Sequence, residues 1–392
     1  MDIVSPRGFL YSVAKAGIKY PDRYDIALIY SKKPAQVAGV FTTNQIKAAP
    51  VKICMRRIRS GQAQALILNS GNANACTGQN GIDNALKITN YLADRLNINK
   101  EHVLPLSTGV IGVPLPVEKI IKAVDELVSS LGNAQPAQVA EAIMTTDTFP
   151  KLTYRQIKED TALTILGICK GAGMISPNMA TMLCAILTDA KISSDLMKEA
   201  LRDAVAQSFN SITVDGDMST NDTVLMLANG ESDIKIERKT TLWKQFKGAL
   251  TDLCIELSKM IVKDGEGATK FITVNVKGAK TAQDAKRVAR AVANSLLVKT
   301  AFYGCDPNWG RVIAAAGYSG VSLKEEKIEI YINDICLFAK GMPTIKEEDL
   351  KESLKQSEIE ILINLNLGKG QAKIFTTDLS EEYVRINSAY RT

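Results

Sequence analysis

Short apolar runs alternate along the chain with longer segments in which apolar residues recur every three or four positions. The short runs are typical of buried strands, and the periodic segments are typical of helices with one face on a core. The predicted strands are residues 25–30, 36–41, 63–68, 103–106, 163–169, 328–332 and 359–365. The predicted helices are about 82–96, 117–131, 194–208 and 242–261. This alternation predicts an α/β or layered α+β fold.

The order of these elements suggests how the chain is organised. Residues 25–30 and 36–41 read as two neighbouring strands of one sheet. No repeat, low-complexity tract or Pro/Ser-rich linker marks a domain boundary. From about residue 322 the chain is richer in lysine and glutamate and contains the last two predicted strands. We therefore expect a smaller C-terminal lobe near residues 322–392.

The composition is that of a soluble globular protein with ample core, because 46 % of its 392 residues are apolar and 23 % are charged. The net charge of +6 is spread out, which disfavours a nucleic-acid partner. The first residues lack a signal-peptide pattern and the apolar runs are too short to span a membrane, so we expect a cytoplasmic protein without a membrane partner. The seven cysteines have no paired spacing, which predicts reduced thiols and no structural zinc.

The sequence KGAGMISPNMATML at residues 170–183 follows a predicted apolar strand. A dinucleotide-binding loop is disfavoured, because its third glycine would fall at Ser176 and Pro177 would interrupt the following helix. A plain connection between two strands remains open. The segment also carries Thr181, and a threonine hydroxyl becomes a nucleophile only when a base removes its proton.

The chain offers few bases for such a threonine. Its single histidine, His102, precedes a predicted strand and reads as an ordinary surface residue. Cleavage of the Ala180–Thr181 bond would create a base, because the new α-amine has an ordinary pKa of about 7.7–8.0. Such self-cleavage needs a serine, threonine or cysteine after the scissile bond, since that side chain attacks the preceding carbonyl. Thr181 meets this requirement.

The same segment resembles the self-cleavage signature of the ornithine acetyltransferases, also called glutamate N-acetyltransferases, of arginine biosynthesis. Family-like blocks span nearly the whole chain in order, at residues 39–44, 107–110, 144–148, 208–217, 263–268, 305–311 and 386–392. The resemblance implies the layered α+β sandwich of that family and an acetyltransferase. It further implies that the acetyl group passes from N-acetylornithine to Thr181 and then to glutamate. An α chain of residues 1–180 and a β chain of residues 181–392 would form a heterotetramer, two of each.

The resemblance also assigns the site residues. Thr108 and Gly109 would form the oxyanion hole, and the small-residue turn after the predicted strand 103–106 is compatible with that role. The implied substrate-binding residues are Thr145, Lys170, Thr181, Glu266, Asn387 and Thr392. A lysine suits a carboxylate and a glutamate suits the ammonium group of ornithine. The closing block 386–392 follows a strand-like run without a polar tail, so we expect the chain end to be tied down at the site.

The residues leave alternatives open. A self-processing aminopeptidase or amidase would use water in place of glutamate, and a non-catalytic protein would use the glycine loop to bind an anion. Asp215, Asp217 and Asp222 do not have the spacing of an EF-hand, so no metal is predicted. Stretches rich in Asn, Asp and Gly, at residues 69–74, 208–217 and 306–311, indicate turns that brace a site. No cofactor is expected, although some family members accept acetyl-CoA as donor.

Overall fold

The computed structural model describes residues 3–158, 162–176, 182–344 and 353–389. Within these ranges the larger lobe is built on an eight-stranded sheet in the order β4-β3-β2-β8-β7-β6-β5, with β1 paired to β2. Its strands are β1 (Phe9–Ala14), β2 (Ile26–Phe41), β3 (Gln62–Asn69), β4 (Val103–Ser107), β5 (Lys151–Lys158), β6 (Ala162–Lys170), β7 (Leu183–Thr188) and β8 (Thr223–Ala228). Its helices are α1 (Ala49–Arg57), α2 (Gly78–Leu96), α3 (Val117–Ser129), α4 (Pro136–Ala142), α5 (Ser194–Gln207) and α6 (Thr241–Lys263).

The two strands expected at residues 25–30 and 36–41 are halves of one strand, β2, and the prediction that they are neighbours was wrong. The polar residues between them, which include Pro34, imitate a turn in the sequence pattern. The backbone stays extended because β2 pairs with β1 and β3 in its first half and with β8 in its second half. The pairing with β3 shifts register between Tyr30 and Ala35, and this irregularity divides β2 into its two halves.

The two halves of the sheet enclose an inner core. Leu68 and Leu106, from β3 and β4, belong to the same buried cluster as Ile168, Ala185 and Leu225, from β6, β7 and β8. Helices α2 and α3 cover the outer face of the first half, and α5 and α6 cover the outer face of the second half. The order of layers is therefore helix, sheet, sheet, helix, which confirms the predicted layered α+β sandwich.

The smaller lobe has a second sheet of six strands in the order β12-β11-β10-β13-β9-β14 within the described residues. These strands are β9 (Phe271–Ala279), β10 (Glu329–Ile332), β11 (Ile335–Ala339), β12 (Met342–Pro343), β13 (Glu358–Asn364) and β14 (Gly370–Thr377). The helices α7 (Ala282–Ala293), α8 (Leu296–Tyr303) and α9 (Trp309–Gly317) complete its core. Strand β9 and these helices precede residue 322, so the lobe begins earlier than the composition suggested. Only the pairing of β9 with β13 and β14 assigns it to this sheet.

The last described element is helix α10 (Glu381–Ala389), which follows β14. The seven cysteines are free thiols. In the described ranges, no helix is both long enough and apolar enough to cross a membrane.

Candidate active site

A cleft opens where several strands of the large sheet begin or end. Strands β4 and β6 end there, and β5, β7 and β8 begin there, as the paired ends Lys170–Leu183 and Leu183–Thr223 show. The cleft holds about 710 Å³ of empty space, counted with its opening to solvent. It is lined by Ala73, Thr108, Gly109, Ile111, Thr145, Thr146, Lys170, Gly173, Met174, Asp215, Asp217, Ser219, Asn221, Glu266, Tyr383 and Asn387.

The fold gathers the site residues expected from the sequence. The lining contains Thr108, Gly109, Thr145, Lys170, Glu266 and Asn387, which come from five separate parts of the chain. The other expected residues, Ala180, Thr181 and Thr392, lie outside the described residues. The individual roles of all these residues stay predictions.

The turn after β4 is held in place by two asparagines, Asn69 and Asn221. The backbone N–H of Thr108 donates to the carbonyl of Asn69 at 3.0 Å. Asn221 donates from Nδ2 to the carbonyls of Ser107 and Ala73, at 2.8 and 2.7 Å. Gly109 has a φ of 132°, and a Cβ there would lie 2.3 Å from the backbone of Gly71. A side chain at this position would break the turn, so the sequence needs glycine here.

Beneath the cleft, four charged side chains form a continuous chain of buried ion pairs. The ammonium of Lys151 contacts Asp147 at 2.7 Å and also pairs with Asp264. The ammonium of Lys170 lies 3.8 Å from the other oxygen of Asp147. Burial alone would raise the pKa of Asp147, but the neighbouring ammonium groups outweigh burial and lower this pKa to about 2. Asp147 therefore stays ionised and keeps Lys170 paired at the floor of the cleft.

The same carboxylates hold the loop that carries Thr145. The N–H of Thr145 donates to Asp147 at 3.0 Å, and the N–H of Thr148 donates to Asp264 at 3.0 Å. Asp147 also accepts the N–H of Gly171 at 2.7 Å, at the start of the glycine loop. The charged cluster thus ties this loop to the glycine loop.

Glu266 and Asn387 form another wall of the cleft. Asn387, on α10, donates from Nδ2 to Oε2 of Glu266 at 2.8 Å. The N–H of Glu266 donates to the carbonyl of Ala172 at 3.0 Å. A Cβ on Gly173 would lie 2.4 Å from the Glu266 carboxyl group, so this close approach requires glycine. The second glycine of the loop therefore makes room for a carboxylate at the cleft.

Asp215 holds the glycine loop from the other side. Its two oxygens accept the N–H groups of Met174 at 2.6 Å and Ile175 at 2.9 Å. Burial is the main cause that raises the pKa of Asp215 to about 6, since these hydrogen bonds act in the opposite direction. Asp215 thus fixes the described part of the loop that leads toward Thr181.

Asp222 precedes β8 and is fully buried. Its Oδ1 accepts the N–H of Met182 at 3.0 Å, whereas its Oδ2 has no hydrogen-bond partner within the described parts of the chain. Burial raises the pKa of Asp222 well above that of an ordinary aspartate, although nearby Lys170 and Thr42 act against it.

Sequence reasoning did not assign a role to Asp147, Asp264, Asn221 or Tyr383. Asp215, Asp217 and Asp222 were weighed only as metal ligands or as bracing residues. The density of Asn, Asp and Gly at residues 208–217 was a signal for this part of the site. The described residues contain no group of three or more His, Cys, Asp or Glu side chains placed to hold a metal ion.

The chemistry of the cleft suits a small zwitterion. It offers a buried ammonium on Lys170, the carboxylates of Asp217 and Glu266, and donors at the Thr108–Gly109 turn. An amino acid carries both an α-carboxylate and an amine, and the cleft offers groups of opposite charge to both.

This chain is similar to named proteins and to a solved structure. A relative from Geobacter sulfurreducens, named arginine biosynthesis bifunctional protein ArgJ, is 48 % identical over 98 % of this chain and 99 % of its own. A relative of the same name from Caldanaerobacter subterraneus is 46 % identical over 99 % of this chain and 98 % of its own. A crystal structure of the ArgJ protein of Bacillus halodurans, 42 % identical, matches with a TM-score of 0.51 and covers 53 % of this chain and 98 % of that one.

The model of the ArgJ family matches residues 10–392. This match includes every described element from β2 to α10 and therefore the whole cleft. Together with the identities of its relatives, it shows that this chain belongs to the ArgJ family.

Proposed function

We propose that this chain is an acetyltransferase of arginine biosynthesis that moves the acetyl group of N-acetylornithine to glutamate. The observation that carries the proposal is the convergence of Thr108, Gly109, Lys170, Glu266 and Asn387 at one cleft. These residues come from four separate parts of the sequence, and the fold of an ArgJ-family chain brings them together.

The nucleophile of this reaction is Thr181, freed by self-cleavage of the Ala180–Thr181 bond. Lys170 ends β6 and Leu183 begins β7, and the two are paired, so the segment between them starts and ends at the cleft. The solved ArgJ chain matched over 98 % of its length covers only 53 % of this chain. That proportion fits a family whose chains are divided near the middle, and residues 181–392 are just over half of this one.

The acetyl transfer takes place in two displacements. The α-amine of Thr181 takes the hydroxyl proton while Oγ attacks the acetyl carbonyl of N-acetylornithine. The negative charge that develops on the carbonyl oxygen is stabilised by the Thr108 hydroxyl and the Gly109 N–H. The C–N bond then breaks, and ornithine leaves with the proton held by the α-amine. The amine of glutamate attacks the acetyl ester, and N-acetylglutamate leaves as the Thr181 hydroxyl is restored.

Charge complementarity supports the choice of substrates. N-acetylornithine and glutamate share an α-carboxylate, for which Lys170 is the buried cation in the cleft. The side-chain ammonium of ornithine is matched by Glu266, whose orientation is fixed by Asn387. Thr145 and Thr392 complete the proposed binding set.

Three further properties belong to the same proposal. The enzyme works in the cytoplasm as a heterotetramer of two α and two β chains, and it needs no cofactor. Because the relatives are named bifunctional, acetyl-CoA is proposed as a second acetyl donor for glutamate.

Product analysis of the purified protein tests the reaction. Incubation with N-acetylornithine and glutamate should give ornithine and N-acetylglutamate in equal amounts. Release of acetate in place of N-acetylglutamate would identify a hydrolase instead. A parallel incubation of acetyl-CoA with glutamate tests the second donor.

Substitution of Thr181 tests the nucleophile. We expect Thr181→Ala to remain one uncut chain without activity, because the change removes the attacking hydroxyl of both steps. The conservative variant Thr181→Ser keeps a hydroxyl and should still be cut. Intact-mass measurement of both variants gives the answer, and cleavage of Thr181→Ala would refute the proposed nucleophile.

A further inference from the structure

The placement of Asp222 leads to an inference that rests on the proposed self-cleavage. Oδ1 of Asp222 accepts a hydrogen bond from the N–H of Met182, the residue directly after Thr181. Its second oxygen is buried without a hydrogen-bond partner in the described ranges. A carboxyl oxygen with no partner is costly to bury, so its retention here calls for an explanation.

The surroundings of Asp222 favour a protonated carboxyl group. Among the described residues, the charged side chain that acts on it is Lys170, whose ammonium also pairs with Asp147 at 3.8 Å. The hydroxyl of nearby Thr42 donates to the carbonyl of Ser219 at 2.8 Å. Burial is the largest influence and raises the pKa of Asp222 well above its ordinary value, although the hydrogen bond from Met182 and the charge of Lys170 act against it. A neutral carboxyl group can donate a proton as well as accept a hydrogen bond.

Covalent bonds limit how far the nitrogen of Thr181 can lie from the backbone nitrogen of Met182. The backbone nitrogens of Thr181 and Met182 are joined by three bonds of about 1.5, 1.5 and 1.3 Å, so they are less than about 4 Å apart. Met182 N lies 3.0 Å from Oδ1 of Asp222. The leaving nitrogen belongs to Thr181. The backbone nitrogen of the next residue, Met182, is already hydrogen-bonded to Asp222.

We propose that Asp222 is the acid that protonates the nitrogen of Thr181 when the Ala180–Thr181 bond breaks. Oγ of Thr181 attacks the carbonyl carbon of Ala180 and a C–O bond forms. The C–N bond then breaks as the nitrogen takes the carboxyl proton of Asp222. The carboxylate regains a proton from the attacking hydroxyl, so the step is a balanced N-to-O shift. Water then hydrolyses the ester to an Ala180 carboxyl group and a free Thr181 hydroxyl.

A time course of cleavage after cell-free synthesis of the full chain tests this role. Asp222→Asn keeps an oxygen that can accept the N–H of Met182 but has no carboxyl proton. We expect it to be cut about 10²-fold more slowly than the native chain, a usual effect for loss of a general acid. Cleavage of Asp222→Asn at the native rate would overturn the proposal.

Asp189→Asn is the matched control. Asp189 is also buried and accepts a backbone N–H, that of Thr164 at 2.9 Å, but it follows the opposite end of β7 and also pairs with Arg7 at 3.3 Å. We expect this variant to be cut at the native rate. Equal slowing of both variants would mean that any change to a buried aspartate delays cleavage, and it would overturn the specific role of Asp222.

The pH dependence gives a second readout if Asp222→Asn does not fold. Cleavage of the native chain should slow as pH rises and Asp222 loses its proton, because no α-amine exists at Thr181 before the cut. A rate that is constant from mildly acidic to alkaline pH would overturn the proposal. Two other results would instead contradict the proposed nucleophile, separately from the role of Asp222. These are cleavage of Thr181→Ala and cleavage of the native chain at a different bond.

Discussion

The turn at Thr108 and Gly109 shows how much a single residue of the cleft depends on its neighbours. The backbone of Thr108 is fixed by Asn69, and the adjacent Ser107 carbonyl is fixed by Asn221. The Thr108 side chain is therefore held at the cleft by a rigid support. Such preorganised donors stabilise charge without reorganising during the reaction.

We expect Thr108→Ala to lower kcat about 10²- to 10³-fold, because the proposed oxyanion donor is lost. KM should change much less, since the lost interaction is made mainly in the transition state. Thr108→Ser retains the hydroxyl and serves as the control. Steady-state kinetics with N-acetylornithine and glutamate decide this, and a raised KM with an unchanged kcat would make Thr108 a binding residue instead.

Asp215 should make stability depend on pH. Burial raises its pKa to about 6 in the folded protein, above the ordinary value of 3.8. The folded state therefore binds the proton more strongly than the unfolded state does. The stability that this stronger binding contributes is lost as pH rises from about 4 through about 6. Asp215→Asn does not titrate, so its stability relative to the native protein should increase over that window by up to about 3 kcal/mol.

Urea unfolding of the native protein and Asp215→Asn at pH 4, 6 and 7.5 measures this difference. Other titrating groups are common to both proteins and largely cancel in the comparison. A difference in unfolding free energy that does not change with pH would show that Asp215 has an ordinary pKa.

At the residue scale, the family resemblance named residues that line the cleft but none of the charges that support them. The family resemblance pointed to Lys170, and the structure places it at the cleft. The ion pairs of Asp147, Lys151 and Asp264 were not foreseen, because Asp264 lies more than a hundred residues away from the other two. A contact over such a separation leaves no local pattern in one sequence.

At the element scale, close packing between α6 and β6 depends on Gly167. A Cβ on Gly167 would lie 2.5 Å from a methyl group of Leu257 and 2.8 Å from one of Leu253. Both leucines are fully buried in the core between the helix and the sheet. Glycine at this point lets the helix lie directly against the strand.

We expect Gly167→Val to lower the free energy of unfolding by about 1–3 kcal/mol, because the added side chain overpacks this core. The control is Gly248→Ala in helix α6, where an added Cβ would meet no atom within 4 Å. This control should gain about 0.5–1 kcal/mol, since alanine favours a helix interior more than glycine does. Denaturant unfolding measures both, and equal effects of the two changes would contradict the packing argument.

The sequence predicted some of the elements and missed others. Strands β3, β4, β6, β10 and β13 and helices α2, α3, α5 and α6 lie close to their predicted bounds. The sequence analysis did not predict eight described strands (β1, β5, β7, β8, β9, β11, β12 and β14) or six described helices (α1, α4, α7, α8, α9 and α10). Strand β2 was predicted as two strands, because polar residues and Pro34 interrupt the apolar pattern without ending the strand. Its continuity depends on partner strands on both sides, and the pattern of β2 alone does not contain them.

At the scale of the whole molecule, the proposed cut would divide a single sheet between two fragments. Strand β6 precedes residue 181 and pairs with β7, which follows it. Likewise β2 precedes the cut and pairs with β8. Helices α5 and α6, from the second fragment, pack on β2, β5 and β6 of the first. Separation of the fragments would therefore break two strand pairings. It would also expose the inner core and the core beneath α5 and α6.

We expect the two fragments to stay together after cleavage, because each buried leucine or isoleucine side chain contributes about 1.5–3 kcal/mol. A tag on the first fragment should retain the untagged second fragment in equal amount, and only denaturant should release it. Size-exclusion chromatography with light scattering then gives the number of fragment pairs. A fragment that elutes alone from a native column would contradict the expectation.

The sequence by itself determined the alternation of strands and helices and the presence of the cleavage motif. Both are local properties, because burial repeats with the period of each element and the cleavage chemistry needs a hydroxyl beside the scissile bond. Only the tertiary structure decided that β2 is one strand and that β9 belongs to the second sheet. It also decided the pKa values of Asp215 and Asp222, because burial and neighbouring charges arise only when distant segments pack together.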